Sequence, residues 1–350
     1  MTLNPYSDRT PVAIIGAGLT GLCLAQHLVK KGITPIIVDK GRFPGGRMAA
    51  RTVGEAGLVN TGPRFFMTRA IVDEPFSLHR ILESHARTIN ITDVIKFLPD
   101  LTGYNPGFSV YEPAGSFREL SVALAEGLEI QQQMKLIAIE QRAEGWNLRM
   151  ESTDSGEMIE RSATALVLTM PAPQIAEVLT FSGLTKLIPA SLATDIIYER
   201  SLVGLFEFEI AESATVHDRI IAKPDNDIRR MIIKAHKNVY GCVYIESSPD
   251  FAENHRATAS EQVLGLFEEK IRQHAHGIKT KRGQFHRWNF ARIRPDCKAF
   301  PGPVVVSHDP LLILAGEGFG VTEDVPAGLV SAQRSAELAA QILADKVVSS

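Results

Sequence analysis

Three glycines and one acid carry the first chemistry that can be read from this chain. Gly16, Gly18 and Gly21 stand in the spacing G-x-G-x-x-G, directly after the apolar run Val12-Ala13-Ile14-Ile15. Gly16 permits a tight turn, Gly18 lets a pyrophosphate come close to the backbone, and Gly21 lets a helix pack closely on the strand. From Leu19 to about Lys31 the pattern is helical, with Leu22, Ala25, Gln26 and Val29 in helical spacing. The free N–H groups and dipole at the start of such a helix hold phosphates without a basic side chain. A second apolar strand, Ile36-Ile37-Val38, delivers Asp39, 18 residues past Gly21. A carboxylate there accepts hydrogen bonds from both ribose hydroxyls and repels a 2′-phosphate. The ligand is therefore a dinucleotide of the FAD or NAD kind. This stretch alone does not choose between them.

Two further segments point at the same ligand. Gly45-Gly46-Arg47 lies just beyond Asp39. Its glycines let the backbone pass close to a planar or charged group, and Arg47 offers a multi-donor planar head to a diphosphate. Far along the chain, the buried run Leu311 to Ala315 is followed by Gly316-Glu317, a loop with Gly318 and Gly320, and a helix from about Pro326 to Lys346. Proline suits a helix start. A second helix N-terminus is thus expected to face the ligand, where it would stabilise negative charge on a reduced flavin ring. Glu317 would accept a hydrogen bond from a ribityl hydroxyl. An ordinary strand–loop–helix closure accounts for the same pattern without a ligand.

The elements that must position these residues are spread over the whole chain. At 350 residues it holds one large domain or two interleaved ones. Ser116, with Glu119 three residues on, caps a predicted helix through Ala125. Leu128 to Ile130 reads as a strand; Lys135 to Gln141, Gly145 to Glu151 and Met158 to Ser162 alternate as in an antiparallel meander. Ala165 to Met170 is a separate buried run, Asp195 to Glu246 is β-rich, and Ala257 to His274 is an amphipathic helix. Pro75 to Ala86 is predicted helical and Leu98 to Glu112 loop-like. The expected fold class is α/β. It comprises a Rossmann-like dinucleotide-binding domain from residues 1–73, 112–172 and 306–350. A β-rich α+β substrate domain from 74–111 and 173–305 is inserted into it.

Composition narrows the function. A net charge of −3 gives no bulk attraction to nucleic acid or to an anionic membrane. Lys279 to Arg294 interleaves six Lys and Arg with three aromatics, yet no nucleic-acid module accompanies it. The three cysteines, Cys23, Cys242 and Cys297, form no disulfide framework or metal cluster and suit a reducing compartment. His274-x-His276 lacks further ligands, and Ser307-His308-Asp309 is no triad because adjacent residues point apart. The first ten residues do not form a signal peptide, and no run approaches the roughly 18 apolar residues of a membrane span. A cytoplasmic protein, monomeric or weakly oligomeric and without metal, is expected.

Together these segments resemble the renalase-like branch of the flavin-containing amine oxidase superfamily. The matching blocks are IIGAGLTGL from Ile14, DKGRFPGGRM from Asp39, NTGPRFF from Asn60, Pro171 to Gln174, HRWNFA from His286, and AGE followed by VPAGLVSAQ. The resemblance implies that the Rossmann-like domain is an FAD-binding domain of the two-dinucleotide-binding-domain flavoprotein type, with non-covalent FAD, a two-electron oxidation of a small reduced substrate (a dihydropyridine nucleotide or an amine), and dioxygen as acceptor with hydrogen peroxide as product. The expected cofactor residues are Gly16, Ala17, Gly18, Leu19, Thr20, Gly21, Asp39, Lys40, Gly46, Arg47 and Met48. Asn60, Thr61, Gly62, Gly316, Glu317, Val325 and Ala327 complete them. Two departures stand out. Asn60 replaces the usual acid of Asp-x-Gly, and Gly316-Glu317-Gly318 lacks the usual aromatic of Gly-Asp-Trp.

On the substrate side, His286, Trp288 and Phe290 share one face if Gln284 to Ala291 is a strand. Trp288 would stack on a planar ring, with His286 as a proton acceptor near neutral pH. An aromatic sheet face packed into the core explains the same pattern. Arg64 is a further candidate because it follows the cofactor loop. The rival functions are a desaturase or amine oxidase proper, and a redox-silent flavin-binding or interaction protein.

Overall fold

The computed structural model describes residues 9–63, 65–68, 86–89, 109–113, 115–211, 215–236, 240–323, 325 and 327–347. The apolar opening run becomes β1 (Arg9–Ile15), followed by α1 (Leu19–Lys30) and β2 (Pro35–Val38). A short hairpin, β3 (Ala50–Thr52) and β4 (Leu58–Asn60), comes next. β5 (Phe66–Thr68), β6 (Ala86–Ile89) and β7 (Ser109–Pro113) form a small sheet in the order β5-β7-β6. Of the predicted helix from Pro75 and the loop from Leu98, residues 75–85 and 98–108 lie outside the described residues. Residues 109–112 are strand rather than loop.

α2 (Phe117–Leu124) begins at the predicted capping box. The Ser116 side chain accepts from the Glu119 N–H and the Glu119 carboxylate accepts from the Ser116 N–H. β8 (Glu129–Gln131) and the meander β9 (Met134–Arg142), β10 (Gly145–Ser152) and β11 (Met158–Leu168) follow. The two segments read separately as Met158 to Ser162 and Ala165 to Met170 are one strand. Its first half pairs antiparallel with β10, and its second half pairs parallel with β18 (Leu311–Leu314). A single strand serves two partners there, so periodicity changes midway and reads as two elements.

The main sheet runs β17-β18-β11-β1-β2-β8, where β17 (Val304–His308) is an antiparallel edge and the other neighbours are parallel. Strands buried on both faces put alternate residues into two cores. Val12, Ile14, Ile37, Val167 and Ile313 pack with Leu22 and Leu28 of α1 and with Ala336 and Leu343 of the C-terminal helix. Ala13, Ile15, Leu166 and Leu312 pack with Trp146, Leu148 and Met150 of the meander and with the helix α3 (Ala172–Phe181).

After a short helix, α4 (Leu192–Asp195), the chain builds an antiparallel sheet in the order β13-β14-β15-β12-β16. Its strands are β12 (Tyr198–Ile210), β13 (Arg219–Ala222), β14 (Ile228–His236), β15 (Tyr240–Ser247) and β16 (Ile278–Ile293). α5 (Pro249–Asn254) and α6 (Ser260–His274) cover one face through Leu202, Phe206, Met231, Val243, Val263 and Phe267. On the other face, Val53 of the β3–β4 hairpin packs on Val203, Leu205, Cys242 and Tyr244. The hairpin is also tied down by hydrogen bonds, from Gln284 Nε2 to the Thr52 carbonyl (2.7 Å) and from Arg51 Nη1 to the Phe285 carbonyl (3.0 Å). The last helix, α7, spans Leu329–Val347, three residues shorter at its start than predicted; Pro326 lies outside the described residues. No helix among the described residues is long and apolar enough to cross a membrane.

Candidate active site

A cavity of about 1060 Å³ opens between the main sheet's C-terminal edge and the hairpin-bearing face of the antiparallel sheet. Its first wall is made of backbone. Gly16 has φ +111°, and a Cβ there would lie 2.6 Å from Thr169 Oγ1; a Cβ on Gly21 would lie 1.9 Å from the Gly16 carbonyl oxygen. Gly18 is different: a Cβ on it meets nothing within 4 Å, because it faces the cavity. Gly18 is also the N-cap of α1, and it leaves that helix start without a side-chain cap. The first-turn N–H groups are thus offered to a ligand. The Gly45 N–H donates to the Ala17 carbonyl (2.7 Å), which brings the Gly45-Gly46 turn alongside Gly18.

Asp39 is oriented for binding. Its Oδ2 accepts from the Ala17 N–H (2.7 Å) and its Oδ1 from the Gly41 N–H (2.6 Å). Each oxygen keeps lone-pair capacity for a ribose hydroxyl. The open face at Gly18, the uncapped helix start and the oriented acid fit a dinucleotide diphosphate and its ribose.

Not all predicted cofactor residues meet at the cavity. Gly16, Gly18, Leu19, Thr20, Asp39, Lys40, Gly46, Arg47, Met48, Thr61, Gly62, Glu317 and Ala327 line it. Ala17 and Gly21 do not; they support it from behind, one by holding Asp39 and the other by letting α1 pack. Asn60 is turned away, and its Oδ1 accepts from the Phe117 N–H (2.8 Å) at the start of α2. The Asn-for-Asp departure therefore falls on a helix-end contact. Gly316 sits behind the lining, donating its N–H to Ser335 Oγ (3.0 Å), and Val325 pairs with Thr322 in a tight turn. Arg64 lies outside the described residues.

Arg47 and Glu317 pair with each other, so neither stands alone for a diphosphate or a ribityl hydroxyl as the sequence reading has it. Burial disfavours the Arg47 charge, but Glu317 and then Tyr198 outweigh it and raise its affinity for its proton. Gly328, Leu329 and Val330 line the cavity, so the start of α7 does face it, as predicted.

The second wall is made of side chains. Arg230 lies opposite Glu246, Glu246 opposite Val203 and Val203 opposite His286, so these four point to one face across β14, β15, β12 and β16. Ser201 pairs with Trp288 on the same face. His286 and Trp288 do share that face, with ring centroids 4.2 Å apart. Beyond them the alternation fails. Ser201 faces Trp288 while Glu199 faces Arg292, so an irregularity in β16 lets each residue from His286 to Arg292 reach the cavity. Phe290 packs edge-on against Tyr198.

His286 differs from the expected proton acceptor. Arg51 Nη2 donates to its Nδ1 (2.9 Å), leaving Nε2 to carry the proton, and Nε2 is buried without a hydrogen-bond partner. Burial, and then the Arg51 charge, lower its pKa to about 4, so the ring is neutral at pH 7 and donates rather than accepts. The Trp288 indole N–H donates to the Thr61 carbonyl (2.8 Å) and ties this wall to the cofactor loop.

The sequence reading missed Arg51, Arg229, Arg230, Tyr244, Glu246 and Arg292. Only the polar interruptions of apolar strand patterns marked them: Arg229-Arg230 before Met231-Ile232-Ile233, and Glu246 after Val243 to Ile245. The basic run before Arg294, set aside as a nucleic-acid signal, sends Arg287 and Arg292 to the cavity.

Residues 14–74 match the NAD(P)-binding Rossmann-like domain. Over 335 residues the chain is 24% identical to renalase of Mus musculus, spanning 88% of this chain and 92% of that protein. It is 37% identical over 90 residues to an all-trans-zeta-carotene desaturase of Myxococcus xanthus, and 32% identical over 115 residues to a neurosporene-forming phytoene desaturase of Cereibacter sphaeroides. The aligned parts span only 16% and 20% of those two desaturases. A solved structure from Exiguobacterium sp. 255-15, described as a candidate protoporphyrinogen oxidase, superposes with a TM-score of 0.64 at 11% identity, over 98% of this chain and 100% of that one. These similarities point to the flavin amine oxidase superfamily and to FAD as the cofactor. The renalase similarity covers most of both chains, unlike the similarities to the two desaturases.

Proposed function

We propose that this protein is an FAD-dependent oxidoreductase that oxidises a small reduced substrate in the cavity, with dioxygen as the acceptor and the cytoplasm as its place of action. The observation that carries the reading is the continuity of the cavity from the glycine cradle to the His286–Trp288 wall. When bound, FAD supplies hydride acceptance from the substrate and return of the electrons to dioxygen as hydrogen peroxide.

The chain's own residues bind, orient and shield. The start of α1 and Gly18 hold the diphosphate, and Asp39 holds the ribose. The start of α7 favours negative charge at the far end. His286 presents a fixed N–H donor, and Trp288 an aromatic face against which a planar ring can stack. Arg64, which follows the cofactor loop, remains a third catalytic candidate.

The test begins with colour. Purified protein should be yellow and release FAD on denaturation; a colourless preparation that also refuses added FAD overturns the proposal. Anaerobic stopped-flow mixing with dihydropyridine nucleotide isomers and with amines should then bleach the flavin quickly with one class only. If no donor reduces it and a stable protein partner is captured instead, the redox-silent reading replaces this one.

A further inference from the structure

Arg47 is the cation that the sequence offers to a diphosphate, and Glu317 already holds it. The glycine end of the cavity has another guanidinium. Arg118 lies in the first turn of α2 and lines the cavity together with Gly18, Gly45 and Gly46. Its place follows from how α2 packs. A Cβ on Gly45 would collide with Ser121 Oγ, so the helix rests directly on the Gly45-Gly46 turn. That turn lies against the start of α1, since a Cβ on Gly46 would sit 3.3 Å from the Gly18 Cα. Arg118 stands three residues before Ser121 and so belongs to the same face of α2. One helix face thus presents a hydroxyl to the glycine turn and a guanidinium to the cavity beside it.

That guanidinium is held in place without being neutralised. Its Cζ lies 3.4 Å from the centroid of the Phe43 ring, and Phe43 lines the cavity too. At that separation the planar group stacks on the ring and keeps its N–H edge free. Among the described residues Arg118 has no hydrogen-bond or ion-pair partner. Glu119, the nearest acid in sequence, is turned back to the helix cap, where it accepts from the Ser116 N–H (2.6 Å). Arg42 Cζ lies 5.8 Å from the same ring. Two like charges on one ring repel each other, and Arg118 also faces the positive end of its own helix dipole. A bound anion relieves both. Guanidinium forks suit bidentate recognition of phosphate oxygens.

We propose that Arg118 binds the dinucleotide diphosphate from the α2 side of the Gly45-Gly46 turn, with Phe43 as the positioning residue that holds its guanidinium flat. The diphosphate then meets backbone N–H groups on one side and a charged fork on the other. The inference rests on the flavoprotein reading, in that it takes the glycine end as the seat of the FAD diphosphate.

The experiment compares ligands with and without a diphosphate on the full-length, flavin-free chain: FAD by fluorescence titration, ADP and adenosine by calorimetry. Arg118→Gln should weaken FAD and ADP about tenfold or more, as the loss of a charge-assisted hydrogen bond predicts, and leave adenosine unchanged. Arg118→Lys, which keeps the charge and loses the fork, should weaken ADP less. Phe43→Leu keeps both charges and removes the ring; it should weaken ADP, spare adenosine, and carry the test if Arg118→Gln fails to fold. Unchanged FAD and ADP binding by Arg118→Gln, or an equal loss of ADP and adenosine, overturns the proposal. ADP binding that depends on Arg118 in a chain that takes up no flavin would sink the flavoprotein reading and leave this site standing. FAD uptake indifferent to Arg118 would do the reverse.

Discussion

The two walls of the cavity are built on opposite principles. The glycine wall offers a ligand mostly backbone: absent Cβ atoms, a bare helix start and, as its best-oriented side chain, an acid fixed by two N–H groups. The sheet wall holds charge with side chains, four strands deep, in a network where each member fixes the next. A backbone cradle is intolerant of added atoms and indifferent to pH. A side-chain network is intolerant of lost charge and senses protons.

The comparison breaks most severely at Glu246. Glu246→Gln keeps the shape but takes from Arg230 its carboxylate and leaves Arg292 only Glu199, and should cost roughly 3 kcal/mol, read as a lower denaturant midpoint. Acid should do the same reversibly. The folded pKa of Glu246 lies below its unfolded value, so its contribution is complete above about 4.5 and is lost as pH falls toward 2. Gly21→Ala comes next. Its new methyl would sit 1.9 Å from the Gly16 carbonyl oxygen, and the overpacking should cost about 3 kcal/mol and show as a fall in melting temperature with loss of bound flavin.

Gly18→Ala sharpens the contrast, because the same change three residues earlier meets nothing in the protein. Flavin-free protein should lose only about 1 kcal/mol, the usual difference between glycine and alanine as N-cap. FAD affinity should fall about tenfold or more, measured by fluorescence titration. Equal losses of stability at both glycines would show that Gly18 is a packing residue.

Arg51→Ala should move His286. Its pKa now lies at about 4, below the ordinary 6.5, so the unfolded chain binds more protons between those values and stability rises with pH across that window. Without the Arg51 charge the lower edge should move up and the window narrow, followed by NMR titration of the imidazole Cε1–H. An unmoved midpoint would leave burial as the whole cause. The smallest effect is expected for Trp288→Phe, which keeps an aromatic ring and loses the bond to the Thr61 carbonyl, about 1 kcal/mol in thermal melts.

The same contrast explains what was legible. Gly16, Gly18, Gly21 and Asp39 could be placed from spacing because backbone geometry demands those residue types at those intervals. The charge network could not. Arg230 and Glu246 become neighbours only through the register of β14 on β15, and Arg292 joins them only because β16 departs from regular pairing. His286 and Trp288 were visible as a face, but the role of the imidazole was not, since Arg51 reaches it from a hairpin 235 positions away. Asn60 misled for the opposite reason: local position placed it with Gly62, whereas its side chain serves a helix end.

The order of strands in the main sheet also bears on synthesis. Its parallel core draws on residues 9–15, 158–168 and 311–314, so a nascent chain cannot complete it until nearly the last helix is being made. The antiparallel sheet draws all its strands from between residues 198 and 293 and so has them well before that. Non-local pairing is the slow step in folding. On the ribosome, the His286–Trp288 wall should therefore be formed first, and the glycine cradle should close against it last.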